Sequence, residues 1–133
     1  MALVPRGTDA SIDSIQGIKA PYISALVAGE AIDALAPCYV KASDGLVYMS
    51  DGTAANEAAK VHGFAPTSYA AGAAVSLYGP GTRAEYGSGL TPGAPYYLGA
   101  TAGRLDTAAT TGGTAPIAFA PTSHEIVVVA LAP

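Results

Sequence analysis

Two histidines, His62 and His124, are the side chains here whose ordinary pKa suits proton transfer near neutrality. Each adjoins a copy of one pentapeptide, Phe64-Ala65-Pro66-Thr67-Ser68 or Phe119-Ala120-Pro121-Thr122-Ser123. A Ser–His–Asp arrangement can be drawn through Ser68 or Ser123, but no nucleophile-elbow sequence surrounds either serine. Strand-end or surface histidines are the expectation. Asp44 and Asp51 sit in Asp-Gly turns, where an aspartate has its own reason to be. Neither turn supplies the alternating oxygen ligands of a calcium loop. A single cysteine, Cys38, forms no internal disulfide, and its apolar surroundings read as those of a buried small hydrophobe. The glycine-rich stretches Gly79-Pro80-Gly81 and Thr111-Gly112-Gly113-Thr114 lack the Lys-Ser/Thr ending of a phosphate loop. The expectation is a chain with no catalytic residues, no metal site and no cofactor.

Tyrosine is the residue type with more to offer. Tyr69, Tyr78, Tyr86, Tyr96 and Tyr97 crowd one stretch with few charges between them. An apolar ring with a polar tip suits an interface. A subunit contact, a sugar platform and half-buried strand residues all remain open. Tyr78, Tyr86, Tyr96 and Tyr97 are the candidates for an oligomer interface.

Charged residues make up 12% of the chain and the formal net charge is −4. Such a sparse charge does little to keep copies apart, which points to self-association. The six basic residues are scattered and nowhere cluster to track phosphates, so nucleic acid is not expected as a partner. No apolar run approaches the roughly 20 residues that a membrane-spanning helix needs.

The elements that must position these residues follow from turn chemistry. Gly and Pro contribute 16 and 10 of the 133 residues, which disfavours long helices. Leu3-Val4-Pro5-Arg6-Gly7 matches a thrombin recognition site, so residues 1–7 read as an expression-tag remnant. Residues 8–20 carry Ile12, Ile15 and Ile18 at a spacing of three, suited to one helical turn or to an arm seating isoleucines in a groove. The arm is preferred, because so short a segment does not hold a lone helix. Residues 21–133 form a β-rich domain.

Within that domain Pro21–Val27 reads as a strand. Cys38–Met49 reads as a β-hairpin, with its turn at Asp44-Gly45. Thr53–Val61 is the helix candidate, with Thr53 as cap, Glu57 near its start and Lys60 near its end. Further strands are expected at 63–65, 74–78, 83–86, 96–98, 103–105, 116–120 and 125–131. The last contains Ile126-Val127-Val128-Val129, a continuous apolar run fitting a strand buried on both faces. The two phenylalanines of the repeated pentapeptide are expected to place their rings in one core. The fold class is mainly β: a small β-sandwich or barrel-like single domain with one short helix and an N-terminal arm.

The stretch Val75-Ser76-Leu77-Tyr78-Gly79, Tyr86, Gly89-Leu90-Thr91-Pro92-Gly93-Ala94-Pro95-Tyr96-Tyr97-Leu98-Gly99-Ala100, Gly103-Arg104-Leu105 and Ile117-Ala118-Phe119-Ala120 resembles a module of tailed-phage head decoration (cement) proteins and some phage fibre proteins. In that module a Leu-x-Pro-Gly turn precedes an aromatic strand, a Gly-x-Leu return and a final Ile-Ala strand. The resemblance implies a homotrimer on the capsid exterior, bound to the major capsid protein and stabilising the shell through multivalent, non-catalytic contacts. The arm would order on the capsid, with Ile12, Ile15 and Ile18 as its binding residues. A rival expectation is a fibre or receptor-binding module that meets a cell-surface glycan through the tyrosines and the loop 107–114. A hydrolase would need paired acids at controlled separation, and no motif places such a pair.

Overall fold

The computed structural model describes residues 2–7, 21–54 and 56–133. The arm at 8–20, with Ile12, Ile15 and Ile18, lies outside the described residues. The strands in chain order are β1 (Ile23–Val27), β2 (Pro37–Val40), β3 (Val47–Met49), β4 (Gly63–Phe64), β5 (Ala74–Leu77), β6 (Arg83–Glu85), β7 (Pro95–Leu98), β8 (Leu105–Asp106), β9 (Ala118–Phe119) and β10 (Glu125–Val128). All are short. Every few residues a Gly, Pro or Asp ends the ladder, so the chain is mainly β with many turns, as its composition dictates.

Two layers result. One is a five-stranded antiparallel sheet in the order β6-β10-β9-β7-β8. The other combines β3-β2-β4 with the pair β1-β5. Phe64 and Tyr78 join its two parts by exchanging both backbone hydrogen bonds, each of 2.8 Å. A single parallel bridge between Ala28 and Val47 then brings the end of β1 back against β3. Among the described residues these contacts do not amount to a closed barrel, and the architecture is sandwich-like.

The hydrophobic core has two clusters. Val61, Phe64, Tyr86, Leu98, Leu105, Ile126 and Val128 anchor the first, and Ile32, Cys38, Val47, Val75 and Leu77 the second. Fully burying each large aliphatic or aromatic side chain contributes about 1.5–3 kcal/mol. The clusters meet where Leu35, wholly buried at φ 58°, packs into the first while its neighbour Ala36 packs into the second. A left-handed leucine costs energy, and here the backbone reversal sends adjacent side chains into different clusters.

The hairpin forms as expected, with Cys38 opposite Met49 and Val40 opposite Val47. Asp44 serves its turn by accepting the Leu46 N–H at 2.9 Å and the Tyr48 hydroxyl at 2.7 Å. Three expectations are corrected. The helix over 53–61 is reduced among the described residues to a 3-10 turn at Glu57–Ala59, capped by Asn56, whose side chain accepts the Ala58 N–H. Thr53 instead hydrogen-bonds Asp51 through both its N–H and its hydroxyl. Those local bonds hold its backbone in a turn and compete with the helix. Val129 is 44% exposed and β10 alternates between buried and half-buried residues, so only one of its faces is fully covered. The phenylalanines also part company: Phe64 is buried, while Phe119 is half-exposed between the buried Ala118 and Ala120. Strand alternation turns the ring of Phe119 away from the core.

Phe64→Ala is therefore expected to cost about 3–5 kcal/mol of unfolding free energy, whereas Phe119→Ala costs clearly less. Chemical denaturation of the two variants measures this, and equal losses would contradict the asymmetry.

Candidate functional site

The four candidate interface tyrosines do not form one surface. Tyr86 is fully buried, and its hydroxyl accepts the Leu105 N–H at 3.2 Å. Tyr96 is 2% exposed, and its hydroxyl accepts the Thr91 N–H at 2.9 Å. Both rings sit in the first core cluster and offer nothing to a second copy of the chain. Tyr78 and Tyr97 are half-buried and retain part of their surface. The alternation of β7, which puts Tyr96 inward and Tyr97 outward, explains the division within that pair.

His124 and Ser123 do meet, with Oγ to Nδ1 at 2.9 Å, but they are chain neighbours in an exposed turn. Glu125 beside them is engaged by Arg83 at 2.6 Å and by the Thr122 hydroxyl at 3.2 Å. Among the described residues no carboxylate orients the imidazole, so the pair lacks the third member of a triad. Cys38 is fully buried; burial foremost, and then the charge of Glu30, hold its thiol in the protonated form. Among the described residues no three His, Cys, Asp or Glu side chains lie together as a metal site would need.

His62 has a defined job. Its Nδ1 accepts the Val40 N–H at 2.8 Å, continuing in side-chain form the β2–β4 ladder that its own N–H supports by donating to the Cys38 carbonyl. It also lines a shallow apolar groove of about 390 Å³ with Tyr22, Ile23, Pro80, Leu131 and Pro133. Burial foremost, and then Lys60, push its pKa below the ordinary value, with Glu57 opposing.

The strongest constellation involves residues 2–7, which match a thrombin site and read as an expression-tag remnant in the sequence, but which the fold builds into the domain through Val4 in the core and Arg6 on Asp33. Leu3 bridges Asp106 of β8, at the edge of the five-stranded sheet, and the Val4 N–H donates to the Leu105 carbonyl at 3.0 Å. Asp106 is 1% exposed; its Oδ1 accepts the Ala2 and Ala108 N–H groups at 3.1 and 3.0 Å. Val4 is 5% exposed and belongs to the first core cluster. Arg6 reaches into a socket: its guanidinium lies 5.6 Å from the centre of the Tyr86 ring, pairs with Asp33 at 3.2 Å and donates to the Gly103 carbonyl. Gly7 then donates to the Tyr86 carbonyl at 3.0 Å. Gly87 must lack a side chain here, since a Cβ would stand 2.6 Å from the Pro5 carbonyl oxygen.

Neither Arg6 nor Asp106 was singled out by the sequence. Asp106 carries no local signal beyond being a lone acid after Leu105. Arg6 was hidden by the protease motif around it.

Two outcomes follow from these contacts. The unfolded chain binds the His62 proton more readily than the fold does. This contribution to stability is therefore complete above about pH 6.5 and declines as the pH falls below it. Denaturation midpoints between pH 7.5 and 5 should show the decline, and His62→Gln should flatten it. Thrombin should cut slowly after Arg6, whose side chain is 12% exposed, because cleavage needs the segment to open first. Asp33→Ala should speed that cut severalfold in a gel time course, and cleavage at an unchanged rate would contradict the socket.

Comparison with protein-family models, curated proteins and solved structures finds no match to this chain.

Proposed function

We propose that the protein is a non-catalytic structural component of a phage virion, bound to the capsid exterior and cementing the shell. The observation that carries this reading is the contiguity of the residues resembling the decoration module. Leu90-Thr91-Pro92-Gly93 makes the turn, with Gly93 at φ 84° donating its N–H to the Ala120 carbonyl at 2.7 Å. A left-handed turn position of this kind suits glycine. The aromatic strand β7 then lies between the Gly-x-Leu return at β8 and the Ile-Ala strand at β9. Segments up to thirty or so residues apart thus form one piece of sheet, so the resemblance describes a folded unit.

The surface chemistry supports the same reading. Tyr22, Val27 and Val129 are exposed by 62, 41 and 44%, on a chain with few charges. These side chains are available for apolar contact with a protein partner. Several copies bound together would multiply weak contacts with the major capsid protein into firm attachment. Binding the expanded, mature lattice and not the other state of the shell would stabilise it, by about 2.7 kcal/mol per site at a hundredfold excess over Kd. A homotrimer fits this mechanism and belongs to the proposal.

The glycan-binding alternative gains no support from these positions. Tyr86 and Tyr96 are inside the fold, and Thr110 in the loop 107–114 donates its hydroxyl to the Leu98 carbonyl at 2.7 Å.

Adding purified protein to undecorated mature capsids should raise their thermal or osmotic resistance, saturating at a fixed number of copies per shell. Capsids that neither bind the protein nor gain resistance would refute the proposal.

A further inference from the structure

Residues 2–7 occupy a site that reads as a receptor for an extended peptide. Backbone pairing comes from β8 and from Tyr86, as in strand addition to a sheet edge. Specificity comes from two sockets, an apolar one filled by Val4 and an aromatic–acidic one filled by Arg6 over Tyr86 and beside Asp33. Gly87 keeps the path of Pro5 and Gly7 open. The Arg104 guanidinium closes the seat by donating to the Val4 carbonyl at 3.1 Å.

We propose that Ala2–Gly7 is an exchangeable strand, and that the same groove takes this segment from a second copy of the chain. Four considerations favour that occupant. The groove fits this sequence through charge complementarity at Arg6 and Asp33, and every copy presents the same sequence. Residues 8–20 join the strand to the domain and can reach about 45 Å at full extension. A domain of this length has a radius of gyration of about 14 Å, so that reach exceeds the domain's own width. Exchange also preserves every contact of the seated strand, which makes it a low-cost route to an oligomer. The low net charge leaves little repulsion between copies.

The test mixes two isotopically distinct preparations of the full chain at high concentration, incubates them and measures masses by native mass spectrometry. Mixed-label species of at least twice the single-chain mass are expected, their share rising with concentration. Two variants locate the contact. Val4→Asp spoils the strand but leaves the groove intact; Gly87→Leu closes the groove but leaves the strand intact. Each alone should stay at the single-chain mass, whereas an equimolar mixture should yield a one-to-one complex. The proposal is overturned if the wild-type chain forms no mixed species. It is equally overturned if either variant alone associates like the wild type, or if the two variants fail to combine. Such a failure would leave the cementing role standing, because that is read from binding to capsids.

Discussion

Phe64 and Tyr78 hold together the layer built from β3-β2-β4 and β1-β5 by exchanging both of their backbone hydrogen bonds. Without that bridge the β1–β5 pair would be tied to its neighbours in the layer mainly by the parallel bridge between Ala28 and Val47, and a two-stranded ribbon is at best marginally stable in water. The bridge also fixes where side chains go. It sets Gly63 so close to Leu77 that a Cβ would stand 2.6 Å from the Leu77 Cβ. Phe64 then points into one core cluster and Leu77 into the other. The second cluster, closed by Val75, Val47 and Ile32, depends on this junction, between strands that are themselves only two and four residues long, and on the Ala28–Val47 bridge.

With strands this short, ladders satisfy only part of the backbone, and buried polar side chains complete the rest. Ser50, wholly buried, donates its hydroxyl to the Lys60 carbonyl at 2.6 Å, while its own carbonyl accepts the Gly103 N–H at 2.9 Å. Thr110 pins its low-complexity loop by accepting the Gly113 N–H and donating to Leu98. The Tyr86 and Tyr96 hydroxyls and the Asp106 carboxylate act in the same way. Leaving a buried backbone group unpaired costs about 1–3 kcal/mol, so each such side chain substitutes for a stretch of regular structure. Residue types that look like candidates for binding are thereby used up in holding the fold.

The edge of the five-stranded sheet is satisfied in a comparable way. The seated segment 2–7 belongs to the same pattern, since it covers the edge of β8 that would otherwise stand open for pairing.

What was legible in the residues was local. The Asp44-Gly45 turn, the Leu-x-Pro-Gly turn at 90–93, most strand positions and the mainly β class all follow from steric preferences acting over a few neighbours. Turn chemistry could not decide which side chains face inward. Tyr86 is consumed by the core and Tyr97 is half spared; Phe64 is buried and Phe119 is not. Nor could it foresee that Thr53 would turn toward Asp51 rather than begin a helix, or that Val4 and Arg6 would be built into the domain. Those outcomes depend on partners far away along the chain, as when Ala2 meets Asp106, 104 residues distant. Burial is a property of the assembled layers, and only the tertiary structure brings such partners together.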